Sequence, residues 1–98
     1  MTLRMDPEQN EVRALKAVAE WRGQRVLEIG CGDGRLTRRL ARLGAEVRAI
    51  DTDAELIRTA RREFPRRLAA RVRFHVGRAG RLEYPKESFD RAVFSWVL

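Results

Sequence analysis

The chain has 98 residues, which is the size of one small domain and excludes a multidomain enzyme. Its 44% apolar and 36% charged residues support a modest folded core and exclude a disordered chain. The 21 Lys and Arg against 14 Asp and Glu give a net charge of +7. We expect residues 1–98 to form a single domain.

The only cysteine, Cys31, has no partner for an internal disulfide, which favours a reducing cytoplasm over a secreted scaffold. The first eleven residues contain acids where a signal peptide needs an apolar stretch. No uncharged apolar run approaches the roughly 18 residues that a membrane helix requires. The composition therefore predicts a soluble, cytoplasmic protein without a membrane span.

The first half of the chain alternates helix and strand signals. Asp6, followed by Pro7, predicts the start of a helix that Gly23 ends. Three further elements follow in order: a buried strand at residues 25–29, a helix at 35–43 ended by Gly44, and a second strand at 46–50 stopped by Asp51.

The second half continues the same alternation. Thr52 and Glu55 have the spacing of a capping box and open a helix that Pro65 ends. Its predicted inner face consists of Leu56, Ile57, Ala60 and Phe64. A third strand is predicted at residues 72–76, a loop or short helix at 77–88, and a fourth strand from Asp90 to about Val97. This alternation predicts an α/β fold with a parallel sheet and flanking helices.

Residues 28–34, with the sequence EIGCGDG, follow the first predicted strand and open a helix. Alternate glycines allow a sharp turn and leave bare backbone against which a ligand can lie. Asp51, at the end of the next strand, has the position of an acid that binds ribose hydroxyls. Two structural alternatives remain. The glycine loop would be only a tight strand-to-helix turn, and Asp51 would be an acid that stabilises a helix N-terminus.

The charges near this loop discriminate between nucleotides. A dinucleotide fingerprint needs glycine where the chain has Arg35. Glu28 and Asp33 would repel a pyrophosphate, but they suit a cationic nucleoside without phosphate. S-adenosylmethionine is such a ligand.

The segment VLEIGCGDGRLT resembles the first motif of class I S-adenosylmethionine-dependent methyltransferases, and Ile50-Asp51 resembles the second. Residues 72–98 are similar to the later motifs, with the Phe89-Asp90 pair typical of the small-molecule group. The resemblance implies a Rossmann-like, mostly parallel sheet of about four strands in the order 3-2-1-4, incomplete in this chain. It also implies transfer of a methyl group to an unidentified small-molecule acceptor.

The resemblance also implies cofactor-binding roles for individual residues. Gly30, Cys31, Gly32 and Gly34 would line the methionine part, and Glu28 would hold the loop or meet the ammonium through water. Asp51 would bind the ribose, Thr52 and Ala79 would lie near the adenine, and Ser95 would lie near the methionine. Arg78 departs from the family, which commonly has an acid there to accept the adenine amino group. Cys31 is interpreted as a small loop residue rather than a nucleophile, because the only histidine, His75, lies on another strand. No metal site and no general base are assigned.

Two features of the sequence predict binding partners: the exposed edge of the fourth predicted strand and a cluster of arginines. The fourth strand would have an open apolar edge, so the protein would dimerise through it, around Phe94 and Trp96, or be a piece of a longer enzyme. Residues 58–81 contain nine Arg against the single acid Glu63. We interpret them first as a solvated surface and second as a nucleic-acid-binding face. A non-catalytic cofactor-binding module that needs a partner remains the other alternative.

Overall fold

The computed structural model of the chain describes residues 2–4, 20–78 and 88–95. Five strands form one sheet in which every pairing is parallel. The strands are β1 (Thr2–Arg4), β2 (Arg25–Ile29), β3 (Glu46–Asp51), β4 (Val72–Val76) and β5 (Arg91–Phe94). The helix predicted from Asp6 lies outside the described residues, as do Ala79 and residues 96–98.

The sheet has the order β1-β5-β2-β3-β4. The four strands that the sequence predicted are β2, β3, β4 and β5, so their predicted order of 3-2-1-4 is confirmed. The register pairs Leu27 of β2 with Arg48 of β3 on one side and with Ala92 of β5 on the other. Neighbouring parallel strands all end at the same edge, where the glycine loop and Asp51 meet.

The outer edge of β5 is covered by β1, whose Leu3 pairs with Val93. The prediction of an open edge at this strand is therefore wrong. Three residues carry too little hydrophobic periodicity to indicate a strand, and only pairing with β5 gives them their structure. The predicted homodimer through this edge loses its premise and stays a prediction.

Two α-helices, α1 (Arg35–Arg42) and α2 (Ala54–Glu63), follow β2 and β3. They confirm the two helices predicted after the first and second strands. The N-cap of α2 is Asp53, whose carboxylate accepts from the amides of Glu55 and Leu56, so the predicted cap at Thr52 is wrong. A 3₁₀ helix at Arg66–Arg71, which the sequence did not indicate, leads from Pro65 into β4.

The core lies between the sheet and helices α1 and α2. Alternate strand residues are buried, which is the period of two that a strand imposes. The core includes Val26, Val47, Ala49, Phe74 and Val93 from the sheet, and Leu36, Leu40, Ile57 and Ala60 from the helices. Leu56, predicted on the inner face of α2, is 39% exposed. No helix among the described residues has the length and apolar composition needed to cross a bilayer.

Candidate functional site

The glycine loop at residues 30–34 joins the end of β2 to the start of α1. The amides of Gly30 and Cys31 both donate to the carbonyl oxygen of Ile50, at 2.9 and 3.0 Å. The amide of Gly34 donates to the carbonyl of Cys31 at 3.0 Å. These bonds fold the loop into a tight turn against the end of β3.

Three glycines of this loop have backbone conformations that favour glycine, and Gly30 is one of them, with a φ of +79°. Gly32 has a φ of +56° and Gly34 a φ of +89°, in the region that side-chain-bearing residues rarely adopt. A Cβ atom on Gly34 would also lie 3.2 Å from Cζ of Phe74. The loop therefore keeps this path only with glycine at these positions.

Asp51 ends β3 beside the loop, as its position in the sequence predicted. Its Oδ2 atom accepts a hydrogen bond from the amide of Gly32 at 2.8 Å. Its Oδ1 atom accepts from the amide of Asp53 at 2.8 Å. Because each carboxylate oxygen has two acceptor positions, Asp51 fixes the loop and retains capacity to accept from a ligand.

Glu28 lies on the inner side of the loop, in β2, and is fully buried. Its Oε1 atom accepts a hydrogen bond from the Thr37 hydroxyl of α1 at 2.6 Å. The bond ties β2 to the first turn of α1. The contact supports the first of the two roles expected for Glu28, which is to hold the loop.

Ser95 follows β5 and is 6% exposed. Its hydroxyl donates to the carbonyl oxygen of Gly30 at 2.9 Å, and its amide donates to the carbonyl of Ile29 at 3.0 Å. The loop is thus held from β5 as well as from β3. Ser95 reaches Gly30 although it lies 65 positions later in the chain.

An open cavity of about 360 Å³ lies over the loop. Its size falls within the range of small-molecule sites. It is lined by Gly30, Cys31, Gly32, Asp33, Arg35, Leu36, Asp51, Leu56 and Ser95.

Five of the nine predicted cofactor-binding residues line this cavity: Gly30, Cys31, Gly32, Asp51 and Ser95. Glu28 and Gly34 are buried and do not line it, and Thr52 is exposed outside it. Ala79 lies outside the described residues.

Sequence reasoning missed Arg35, Leu36 and Leu56 as lining residues. Leu56 was predicted on the inner face of its helix by helical spacing, which cannot tell a core contact from a cavity wall.

Three carboxylates act on the loop at Cys31. Burial raises the pKa of the Cys31 thiol far above its usual range, and the carboxylates of Glu28, Asp51 and Asp33 raise it further. Cys31 is therefore a neutral thiol rather than a nucleophile. The same carboxylates favour a cation and disfavour a phosphate in the cavity.

The arginines of residues 58–81 are distributed over several elements. Arg61 of α2 donates to the carbonyl oxygen of Phe74 at 2.6 Å. Arg71 of the 3₁₀ helix donates to the carbonyl of Ala41 at 3.0 Å. These two side chains stabilise the fold, and the nucleic-acid-binding face stays a prediction. Within the described residues, no group of three or more His, Cys, Asp or Glu side chains could hold a metal ion.

Comparisons with known proteins agree with this geometry. A family model described as a methyltransferase domain matches residues 26–98. The chain is 47% identical over 55 residues to a magnesium-protoporphyrin O-methyltransferase from Rhodobacter capsulatus, covering 56% of the chain and 25% of that protein.

Two solved structures are similar over most of the chain. One is an S-adenosylmethionine-dependent methyltransferase from Mesorhizobium loti, with a TM-score of 0.71, 27% identity, and coverage of 86% of this chain and 37% of that one. The other is a magnesium protoporphyrin IX methyltransferase from Synechocystis with bound S-adenosylhomocysteine, with a TM-score of 0.72, 25% identity, and coverage of 87% and 38%. The chain thus spans about a quarter of the curated relative and under two fifths of either structure.

Proposed function

We propose that this chain, which belongs to the methyltransferase domain family, forms the cofactor-binding part of an S-adenosylmethionine-dependent methyltransferase. The observation that carries the proposal is the position of the Asp51 carboxylate, 2.8 Å from the Gly32 amide at the edge of an open cavity. An acid in this position accepts hydrogen bonds from both hydroxyls of a ribose, and the glycine loop beside it presents backbone to the rest of the ligand.

The residues around the cavity fit S-adenosylmethionine. The backbone of Gly30, Cys31 and Gly32 lies where the methionine part would rest, with Gly34 and Glu28 supporting the loop and Ser95 closing it from β5. Leu56 offers an apolar wall for the adenine. Thr52 and Ala79 would complete the adenine side. The carboxylates of Glu28, Asp33 and Asp51 favour the sulfonium and ammonium charges.

The chemistry divides between the cofactor and the chain. S-adenosylmethionine supplies an activated methyl group on a sulfonium when it is bound. The chain binds and orients this group: Asp51 sets the position of the ribose, and the glycine loop sets the direction of the methionine arm. Methyl transfer is an in-line displacement, so such positioning supplies much of the catalysis. The lining residues bind and orient, and we assign none of them as a general base.

We propose a small molecule as the methyl acceptor. The support is that a curated relative and a solved structure both name magnesium protoporphyrin as their substrate. A second candidate function is a cofactor-binding module that needs a further polypeptide to complete an active site. The support for this candidate is that the residues lining the cavity bind and orient a ligand, and none of them is assigned as a general base.

Isothermal titration with S-adenosylmethionine and S-adenosylhomocysteine tests the cofactor. We expect both to bind, and Asp51→Ala to weaken both by about 1 to 3 kcal/mol, since ribose hydroxyls lose their acceptor. Binding of NAD in their place would contradict the electrostatic basis of the proposal. A methyl-transfer assay with magnesium protoporphyrin then separates the two candidates, because transfer of the methyl group would support the enzyme and a module binds the cofactor and transfers nothing.

A further inference from the structure

The buried pair of Thr37 and Glu28 lies on the inner side of the glycine loop, away from the cavity lining. Thr37 belongs to the first turn of α1, and Glu28 is the last but one residue of β2. Both side chains are fully buried, and the Thr37 hydroxyl donates to Glu28 Oε1 at 2.6 Å. We propose that Thr37 is a positioning residue for the methionine half of the cofactor site, acting through Glu28. The proposal rests on the proposed function.

The pair joins the two ends of a loop that has little stiffness of its own. Residues 30–34 include three glycines with positive φ, Gly30 at 79°, Gly32 at 56° and Gly34 at 89°. Glycine has the largest backbone entropy to lose on folding, so this loop is costly to hold in one conformation. A hydrogen bond between the strand before it and the helix after it restrains both ends together.

The start of α1 lacks the usual means of fixing a helix end. Its N-cap is Gly34 in the left-handed conformation, with no side-chain hydrogen bond to the first turn, and the first turn contains no acid. In α2, by contrast, the Asp53 carboxylate caps the first turn. The Thr37–Glu28 contact therefore replaces a cap by anchoring the first turn of α1 to β2.

The effect of losing this anchor falls on one part of the cavity. Asp33 precedes α1, and Arg35 and Leu36 begin it, so these lining residues move with its first turn. Asp51 and Leu56 line the other part and belong to β3 and α2. The Thr37 hydroxyl thus acts mainly on the loop side, where the methionine arm would lie, and reaches the nucleoside side only through the bond from the Gly32 amide to Asp51.

The test compares two ligands that differ only in this arm. S-adenosylhomocysteine has the amino-acid group, and 5′-methylthioadenosine lacks it. Thr37→Val removes the hydroxyl while keeping the shape, and Thr37→Ser keeps the hydroxyl. Thr59→Val makes the same replacement at a partly exposed threonine of α2 and serves as the matched control.

We expect Thr37→Val to raise the Kd of S-adenosylhomocysteine by roughly tenfold and that of 5′-methylthioadenosine by less than about twofold. Thr37→Ser and Thr59→Val should bind both ligands within about twofold of the unmodified chain. In Glu28→Gln, adding Thr37→Val should raise the Kd of S-adenosylhomocysteine by less than about threefold, since the two residues act through one contact.

Three results would overturn the inference: unchanged binding in Thr37→Val, equal loss of both ligands, or full additivity with Glu28→Gln. If Thr37→Val does not fold, the binding of Thr37→Ser and Glu28→Gln tests the inference instead. Serine must then retain affinity, and Glu28→Gln must lose S-adenosylhomocysteine selectively. Failure of the unmodified chain to bind either ligand would contradict the proposed function itself, which distinguishes the two failures.

Discussion

The Asp51 carboxylate accepts a hydrogen bond from the backbone amide of Gly32, with 2.8 Å between Oδ2 and the nitrogen. Its other oxygen accepts from the amide of Asp53, also at 2.8 Å. One side chain at the end of β3 therefore holds both the glycine loop and the start of α2. Asp51 organises the site before any ligand is bound.

Asp51→Asn should destabilise the chain even without ligand. An asparagine side chain has one acceptor oxygen, so one of the two backbone amides loses its partner and the bond that remains loses its charge. We expect the free energy of unfolding to fall by about 1 to 2 kcal/mol, measured by urea titration. An unchanged value would mean that the carboxylate is not needed to hold the loop.

Asp53→Ala should lower the free energy of unfolding by about 1 kcal/mol, because the amides of Glu55 and Leu56 lose their cap. Thr52→Ala is the control, since the capping-box pattern in the sequence assigned the cap to this residue. We expect its effect to stay within about 0.5 kcal/mol. The reverse order of the two effects in urea titrations would contradict the observed cap.

Gly34→Ala should destabilise the chain more than Gly23→Ala does. Both glycines have positive φ, +89° and +73°, so both substitutions impose backbone strain. An added Cβ meets Phe74 at 3.2 Å in the first case and nothing within 4 Å in the second. We expect the free energy of unfolding, measured by thermal denaturation, to be about 1 kcal/mol lower for Gly34→Ala than for Gly23→Ala. Equal free energies of unfolding for the two variants would contradict the prediction.

Leu56→Ala should weaken ligand binding and Ile57→Ala should lower stability, although the two residues are adjacent. Leu56 is 39% exposed and lines the cavity, whereas Ile57 is fully buried in the core. Leu56→Ala should raise the Kd of S-adenosylhomocysteine about three- to tenfold with little loss of stability. Ile57→Ala should cost about 2 to 5 kcal/mol of stability. Calorimetry and urea titration on both variants check this, and unchanged affinity in Leu56→Ala would exclude an adenine wall there.

The Asp90 carboxylate should stabilise the fold at neutral pH and lose this effect in acid. The Arg25 guanidinium and backbone amide donate to its carboxylate and lower its pKa below the ordinary 3.8. A lowered pKa in the folded state means that the stabilisation is present above about pH 3.8 and is lost as the pH falls through the lowered value.

The melting temperature of Asp90→Asn should therefore lie below that of the unmodified chain at pH 7, and the difference should vanish in acid. Glu63→Gln removes the same charge from an exposed position and should show no such dependence. A difference that persists unchanged at pH 2 would contradict the assignment.

Local patterns in the sequence predicted much of the fold and the site. The bounds of β2 and β4 follow from short apolar runs between turn residues, and both match residue for residue. The glycine loop after β2 and the acid at the end of β3 also follow from spacing along the chain. These features depend on neighbouring residues, which is why the sequence alone determined them.

Contacts between distant segments were decided only by the tertiary structure. The pairing of Thr2–Arg4 with β5 needs a strand edge about 90 residues away. The bond from Thr37 to Glu28, the closure of the loop by Ser95 and the turn of Leu56 toward the cavity each depend on which atoms meet when helices pack on the sheet. Hydrophobic pattern assigns a residue to a face, but the partner it finds there is set by the packing of the whole domain.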